Sequence, residues 1–528
     1  METFVLPPLP PRLNPFTHTL SSNELSLFAV AASLGVLTLV YALRKFFTRS
    51  NLKPVPGPPG VPILGNLFDW PSEYQAETVQ EWKKVYGPMV KLGILGKRMI
   101  FLTSPTVISE LFAKRSADYS DRPRLIFSQD YVGLDIMHPM TQFGADFKQQ
   151  RKFMKEVLHA DVIRKHEDLL NEEGRRLLQG MWDTPKNFDR HLRRFSSSLS
   201  LRLVYGFEAM DNDDPHVLLA EEMMQTAEYA VIAGWAVDFI PWLRYLPAWL
   251  PGVGWKKRGA YIRSKVDAMI SGNYDEVMQK VKSGVPLRDS FVTINMRLAK
   301  EGKSTYDEQM IKTTATAIYG GASDTTASAG WSLILAMLIN QDAQRKAQEE
   351  IDRVTGRQRL PRMADKASLP YLQAVVWEVF RWAPPVPVTL PHRARYGGEI
   401  DGYEIKKDDT LIANLYSISR DEEYHTDPET YDPDRYLDGG EERTPYYVFG
   451  YGHRRCPGAD MAFAQLFHQA AYVLSVFDIR PEVDSKGNAM YPKPEFVGEM
   501  VRHPKPFKCV ITPRWENADL LFQEDVKA

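Results

Sequence analysis

The segment Phe449-Gly450-Tyr451-Gly452-His453-Arg454-Arg455-Cys456-Pro457-Gly458 places one of the chain's two cysteines at the end of a glycine-rich loop, directly before a helical stretch. Pro457 suits the first turn of that helix. Free amides and the positive end of a helix dipole stabilise a thiolate, the form that ligates a metal or attacks an electrophile. A lone cysteine taken by itself reads as an inert buried hydrophobe. Its neighbours change that reading: Gly450, Gly452 and Gly458 let the backbone lie flat against something large, and Arg454 offers a fork that matches carboxylates. A haem, with its flat macrocycle and two propionates, asks for that combination.

A second group of residues sits in the longest helical run. Gly320, Gly321, Ala322, Ser323, Asp324, Thr325 and Thr326 fall mid-helix, where each glycine costs roughly 1 kcal/mol relative to alanine. Small side chains open a groove for dioxygen and often accompany a local widening of the helix, and Asp324 is an acid in an otherwise apolar run. A close helix crossing with a solvated aspartate accounts for the same residues. Elsewhere, Glu378-Val379-Phe380-Arg381 reads alone as an ordinary helical ion pair worth a few tenths of a kcal/mol.

Together these segments carry a resemblance. Phe449, Gly452, Arg454, Cys456 and Gly458 fit the pattern F-x-x-G-x-R-x-C-x-G of the cytochrome P450 haem-thiolate monooxygenases. Glu378 and Arg381 match that family's E-x-x-R, and Tyr431-Asp432-Pro433-Asp434-Arg435-Tyr436 resembles its F-x-P-x-R-F. The motifs occur in the family's order over essentially the whole chain, which looks most similar to microsomal-type fungal members. The resemblance implies haem b with Cys456 as axial thiolate, and a buried ion triad of Glu378, Arg381 and Arg435. It implies Asp324 and Thr325 as the acid and alcohol of proton delivery, with Phe449, Arg454, Arg151 and His392 at the cofactor. Two departures stand out: Ala322 replaces a common second glycine, and Phe147 replaces the tryptophan of W-x-x-x-R, losing that ring's hydrogen bond to a propionate.

The elements that must position these residues are mostly helices. Short β-like runs cover 89–95 and 99–102, and further strand pieces cover 403–405 and 410–413. The long helix runs from about Tyr306 to past Asn340, another spans 369–381 before Pro384, Pro385 and Pro387, and a last one follows Cys456 to about Val476. The fold class is therefore mainly α with a small β region, the cytochrome P450 fold by resemblance, preceded by one transmembrane helix. Residues 25–43 carry no charge and at 1.5 Å per residue span roughly 28 Å as a helix, close to the hydrocarbon thickness. Arg44, Lys45, Arg49 and Lys53 follow the run and Arg12 precedes it, so the positive-inside rule puts the main domain in the cytosol. The division expected is a luminal tail at 1–24, the span at 25–43, a basic and proline-rich hinge at 44–60 and a haem-binding domain at 61–528, single-pass in the endoplasmic reticulum membrane.

Composition excludes other classes. A formal net charge of −2 provides no basic field for nucleic acid, and Cys456 and Cys509 alone allow neither a disulfide framework nor a cysteine cluster for zinc. The resemblance implies electrons from NADPH-cytochrome P450 reductase, with cytochrome b5 as a further donor, and Lys148, Lys152, Lys155 and Arg455 offer a docking face. The aromatic and proline-rich stretch 234–251 reads as core or as membrane contact beside a substrate entrance. Stretches 118–142, 226–242 and 496–500 are expected to line the pocket of a lipophilic small molecule, hydroxylated or epoxidised in secondary metabolism or xenobiotic oxidation. Terpenoids, polyketides, aromatic alkaloids, steroids and polycyclic aromatics fit alike. The rival readings are a reductase-independent haem-thiolate isomerase or dehydratase, a non-catalytic haem sensor or carrier, and an unrelated cysteine hydrolase.

Overall fold

The long helix forms at Glu308–Ile339 because Asp307 caps it, its side chain accepting from the Met310 N–H at 2.7 Å. It is a continuous α-helix through Gly320 and Gly321, without the widening that the glycines led us to expect. Its polar side chains do not break it: the hydroxyls of Thr313, Thr316, Ser323 and Ser332 donate back to carbonyls four residues earlier. The helix stops one residue before Asn340, whose backbone leaves the helical region while its side-chain amide donates to the Ala336 carbonyl at 2.9 Å. A new helix, Gln341–Thr355, follows at once. The sequence places the end too late because a second, amphipathic helix resumes helical periodicity after a single intervening residue.

The computed structural model describes residues 52–71, 73–232, 234–304, 306–437 and 445–523. The expected membrane span at 25–43 lies outside them, and no described helix is long and apolar enough to cross a membrane. Two units are present. The described part of the smaller one pairs Lys53–Pro54 in parallel with Tyr403–Glu404. The larger one, from Val55 to Ile400 and from Ile405 onward, holds the core and the candidate site.

Within the larger unit, helix Phe188–Tyr205 is buried along nearly its whole length and packs most extensively against the long helix. Helices Pro370–Trp382 and Ala459–Val476 complete the core behind the cysteine loop. A four-stranded sheet borders this helical body. Met89–Ile94 runs antiparallel to Lys97–Leu102, which pairs in parallel with Thr410–Ala413, which in turn pairs antiparallel with His392–Arg393. Mainly α with a small β region is what the chain forms.

The proline-rich segment differs from a free spacer. From Val55, which is buried, it lies along strand Met89–Ile94: the Pro56 carbonyl accepts from Lys91 N–H at 2.7 Å, and a Cβ on Gly57 would collide with the Lys91 carbonyl oxygen. The aromatic stretch also divides. Trp235 stacks on Phe127 at 3.8 Å within a core cluster, whereas Trp242, Tyr245 and Trp249 are exposed by 61%, 74% and 78%.

Candidate active site

Cys456 reaches its place through a loop that tolerates few side chains. Gly450 and Gly452 have φ of 79° and 57°, and a Cβ on Gly452 would strike the Phe112 carbonyl oxygen. The loop closes on itself as Cys456 N–H donates to the Phe449 carbonyl at 2.7 Å, and His453 N–H anchors it to Ser116 Oγ at 2.9 Å. The following helix begins at Ala459, with Pro457 and Gly458 in the turn before it rather than in its first turn. The thiol accordingly gains less from helix amides than the sequence promised. Cys456 is open to an interior cavity yet surrounded by protein, and burial pushes its thiol up against the opposing pull of the Gly458 N–H, Arg151 and Arg455. A bound metal cation is the partner that reverses such a shift.

The cavity has a volume of about 310 Å³. Cys456, Phe449 and Arg454 line it from the cysteine loop, Gly321 and Thr325 from the long helix, and Arg151 and His392 from elsewhere. Gly321 apart, these are six of the seven candidate catalytic and cofactor residues read from the sequence, the seventh being Asp324, and the structure brings the six to one space. Two more join them that the sequence reading missed, Arg122 and His138. Among the described residues, no aspartate or glutamate lines this cavity.

Each basic group is held by its neighbours. Arg454 donates to the carbonyls of Ser120 at 2.8 Å, Thr141 at 2.6 Å and His138 at 3.4 Å, and lies 4.2 Å over the Phe147 ring. Much of its fork is thus spent on fastening the 120–141 segment to the cysteine loop, and burial pushes its guanidinium down to about 10. Arg122 donates to Pro139, Leu390 and Pro391 carbonyls, and burial beside Arg454 lowers it too. His392 is stacked on Phe112 at 4.0 Å, with Nδ1 2.6 Å from the Tyr119 carbonyl. His138 stacks on Phe147 at 4.6 Å, and its Nδ1 lies 3.3 Å from Gln150 Oε1. Burial first, then Arg151 and Arg454, push His138 down to about 3.

Three arginines, two histidines and a cysteine around a space without carboxylates fit a flat dianionic group that carries a metal. Two carboxylates would offset the burial, and the smaller mutual repulsion, that depress Arg122, Arg454 and both imidazoles. Phe147 keeps the packing of the expected tryptophan without its N–H, and the ring stacked on it is a nitrogen heterocycle, His138. Arg122 and His138 gave no spacing motif, but both fall inside the 118–142 stretch expected to line the pocket.

A second cavity of about 220 Å³ shares Pro139, Gly321, Thr325, Val386, Thr389 and Leu390 with the first. Its walls include Met137, Met140, Met223, Met224, Met269 and Met500. The three expected stretches contribute, and so do Val266, Met269 and Ile270 of helix Trp255–Lys282, which sequence reasoning did not include. The one charged wall residue among the described residues, Glu499, is engaged by the backbone N–H groups of Tyr74 and Gln75 at 2.5 and 3.1 Å. The long helix also explains its glycines here. Gly321 lines both cavities, whereas a Cβ on Gly320 would collide with Met223.

Thr325 lines both cavities, its hydroxyl donating to the Gly321 carbonyl at 2.7 Å. Asp324 lines neither: its Oδ2 lies 3.2 Å from His503 Nε2. The acid and alcohol that the sequence placed side by side therefore point to different surroundings. Lys148, Lys152 and Lys155 border a surface groove with Arg151, Phe143 and His453, and none of the three has an ion-pair partner among the described residues.

Comparison with known proteins agrees with this arrangement. Residues 55–511 match the family described as Cytochrome P450. A cytochrome P450 monooxygenase named claT from Ampulloclitocybe clavipes is 35% identical, covering 93% of this chain and 97% of its own. A cytochrome P450 monooxygenase of Armillaria gallica is 34% identical over 94% of this chain and 99% of its own. Cytochrome P450 monooxygenase 176 of Postia placenta is 33% identical over 95% and 98%.

Proposed function

The chain belongs to the cytochrome P450 family, and from that premise we propose that it is a reductase-driven haem-thiolate monooxygenase that hydroxylates or epoxidises a lipophilic small molecule. The observation that carries this reading is the continuity of two spaces at Thr325: one basic and cysteine-bearing, the other apolar. Bound haem, with Cys456 as its thiolate ligand, would supply dioxygen activation and the transfer of one oxygen atom to carbon.

The chain's own residues do the rest. Cys456 would hold the iron, Arg122, Arg151 and Arg454 would neutralise the propionates, and the uncharged imidazoles of His138 and His392 would add hydrogen bonds. His138 takes the hydrogen-bonding place that Phe147 leaves empty. Phe449 packs beside the cysteine, edge-on to Phe380 at 5.2 Å. The methionine-rich walls exclude water and adapt to the shape of an apolar substrate. Thr325 hands protons into the cavity, and Asp324 feeds it. Electrons arrive from NADPH-cytochrome P450 reductase or cytochrome b5, whose acidic faces meet Lys148, Lys152, Lys155 and the exposed Arg455. A role in secondary metabolism or xenobiotic oxidation suits such a pocket.

Thr325→Val tests this assignment because it keeps the shape and removes the proton. Haem loading and the substrate-induced high-spin shift are expected to persist. Product formed per NADPH should fall about fivefold, short of the roughly 100-fold cost of losing a general acid outright because water substitutes in part. Hydrogen peroxide should rise to match. Full coupling in the Asp324→Asn, Thr325→Val double variant would reduce this helix segment to packing. Product formed without NADPH or reductase would instead favour the isomerase or dehydratase reading, and NADPH left unconsumed with every substrate the sensor reading.

The endoplasmic reticulum placement rests on the uncharged run at 25–43 and the cations after it. Exposed Trp242, Tyr245 and Trp249 provide a second membrane contact, since such rings favour the interface. Deleting residues 1–49 is expected to move most of the protein from the microsomal pellet to the supernatant with its haem retained. A truncated chain that sediments like the full one would argue against the anchor. A protease added outside intact microsomes should digest the main domain.

A further inference from the structure

Met223, on helix Pro215–Val231, lays its terminal methyl where the long helix lacks a side chain. A Cβ on Gly320 would lie 1.5 Å from Met223 Cε and 3.1 Å from its Sδ, so the methyl fills the place that an alanine at 320 would take. The next glycine differs. A Cβ on Gly321 meets nothing within 4 Å, in keeping with its position at the junction of the two cavities. Gly320 is thus a seat for one side chain, and that side chain also walls the apolar cavity.

The two helices cannot easily part to make room at the seat. The Tyr319 hydroxyl, beside Gly320, donates to the His216 carbonyl at 2.5 Å and pins helix Pro215–Val231 to the long helix. Surface pairs add to this: Glu221 meets Arg193, and Glu222 meets Lys265 at 3.0 Å, on two further helices. A larger residue at 320 therefore moves the tip of Met223 before it moves the backbone, since a thioether chain with three rotatable bonds turns cheaply. With the long helix behind the tip, the open side is the cavity.

Polar side chains in the same wall offer a ligand little. Thr316 donates to the Lys312 carbonyl at 2.9 Å, Thr325 donates to the Gly321 carbonyl, and Thr389 accepts from Ala413 N–H at 3.0 Å. Glu499 is held by the Tyr74 and Gln75 N–H groups. Thr226 alone has no hydrogen-bond partner among the described residues. A wall with so little free polarity discriminates by shape.

We propose that the Gly320–Met223 seat is the size gauge of this cavity. With the methionine tip withdrawn onto the glycine, the cavity takes a bulky, uncharged, hydrocarbon-rich molecule held by its shape. Met223 is then a specificity-determining residue, and Gly320 acts through it as a positioning residue.

The inference rests on the monooxygenase reading, and the test keeps the two failures apart. The probes are imidazole, 1-phenylimidazole and 1-(4-biphenylyl)imidazole, titrated into the haem-loaded full chain and followed by absorbance. Imidazole nitrogen suits iron, so each probe is anchored at one point while its tail grows. Wild-type affinity should rise along the series. Gly320→Ala should weaken the biphenylyl probe about tenfold, the low end of what overpacking a fitted site costs, and change imidazole less than about twofold. Adding Met223→Ala should restore most of the lost affinity, because the displaced tip is gone. Thr226→Val should change each probe by less than about twofold. Alanine favours a helix interior over glycine, so Gly320→Ala should load haem with an unchanged carbon monoxide spectrum. Equal losses across the three probes, a loss that the double variant keeps, or wild-type affinities that ignore the tail would each overturn the size gauge. A tenfold loss in Thr226→Val would make a polar anchor the selector and overturn it as well. Wild type that imidazole itself does not perturb would instead sink the haem-based reading, and this inference with it. Binding as expected with no product formed alongside reductase would sink the monooxygenase reading alone.

Discussion

Glu378→Ala is expected to destabilise the protein by about 3–5 kcal/mol, because it strips a buried charge cluster of the one anion it has among the described residues. Glu378 and Arg381 are both fully buried. The carboxylate accepts from Arg381 Nε at 2.7 Å and Nη2 at 2.8 Å, from Arg435 Nε at 3.1 Å, from the Tyr436 hydroxyl at 3.1 Å and from Asp432 N–H at 2.8 Å. Arg381 in turn donates to the carbonyls of Ser419, Pro428 and Thr430, and Arg435 to that of Thr426. One carboxylate thus fastens helix Pro370–Trp382 to the segment 419–436. The alanine variant would leave two buried guanidinium groups facing each other. The urea midpoint and the share of protein recovered with haem should both drop sharply. Glu349→Ala, which removes an exposed partner of Arg345 on another helix, should cost less than about 1 kcal/mol. Equal midpoints for the two variants would contradict this account of the core.

That cluster was visible in the sequence only through family resemblance. Glu378 and Arg381 three residues apart look like any helical pair, and Arg435 comes from an irregular segment whose approach no local pattern encodes. Periodicity served better for elements: the strand pieces at 403–405 and 410–413 and the helix ending at Val476 form where expected. It failed at Asn340, where a single residue separates two helices and helical periodicity resumes at once. The site shows the same division. Cys456, Arg454 and Phe449 are legible because one short loop delivers them at fixed spacing. Arg122 and His138 come from a stretch of irregular chain, the first held by backbone carbonyls and the second beside the Gln150 side-chain oxygen, contacts that have no sequence signature. The acidity of Cys456 was misread because helix amides are a local feature, whereas the burial that outweighs them is tertiary. The partnership of Asp324 with His503 depends on a hairpin folding back onto the long helix, and nothing near either residue announces it.

The central claim is that Cys456 supplies the axial sulfur. Of the two cysteines, Cys456 lines the basic cavity, whereas Cys509 packs at the edge of the main core, where burial pushes its thiol up to about 12. A thiol so disfavoured as thiolate, in a place without a ring of cations, is no rival ligand. The measurement is the absorbance spectrum of the reduced carbon monoxide complex in the wild type, Cys456→Ala and Cys509→Ala. The wild type and Cys509→Ala should give the thiolate-type spectrum, and Cys456→Ala should lose it completely. A thiolate-type spectrum that survives in Cys456→Ala, or that disappears in Cys509→Ala while haem stays bound, would contradict the assignment.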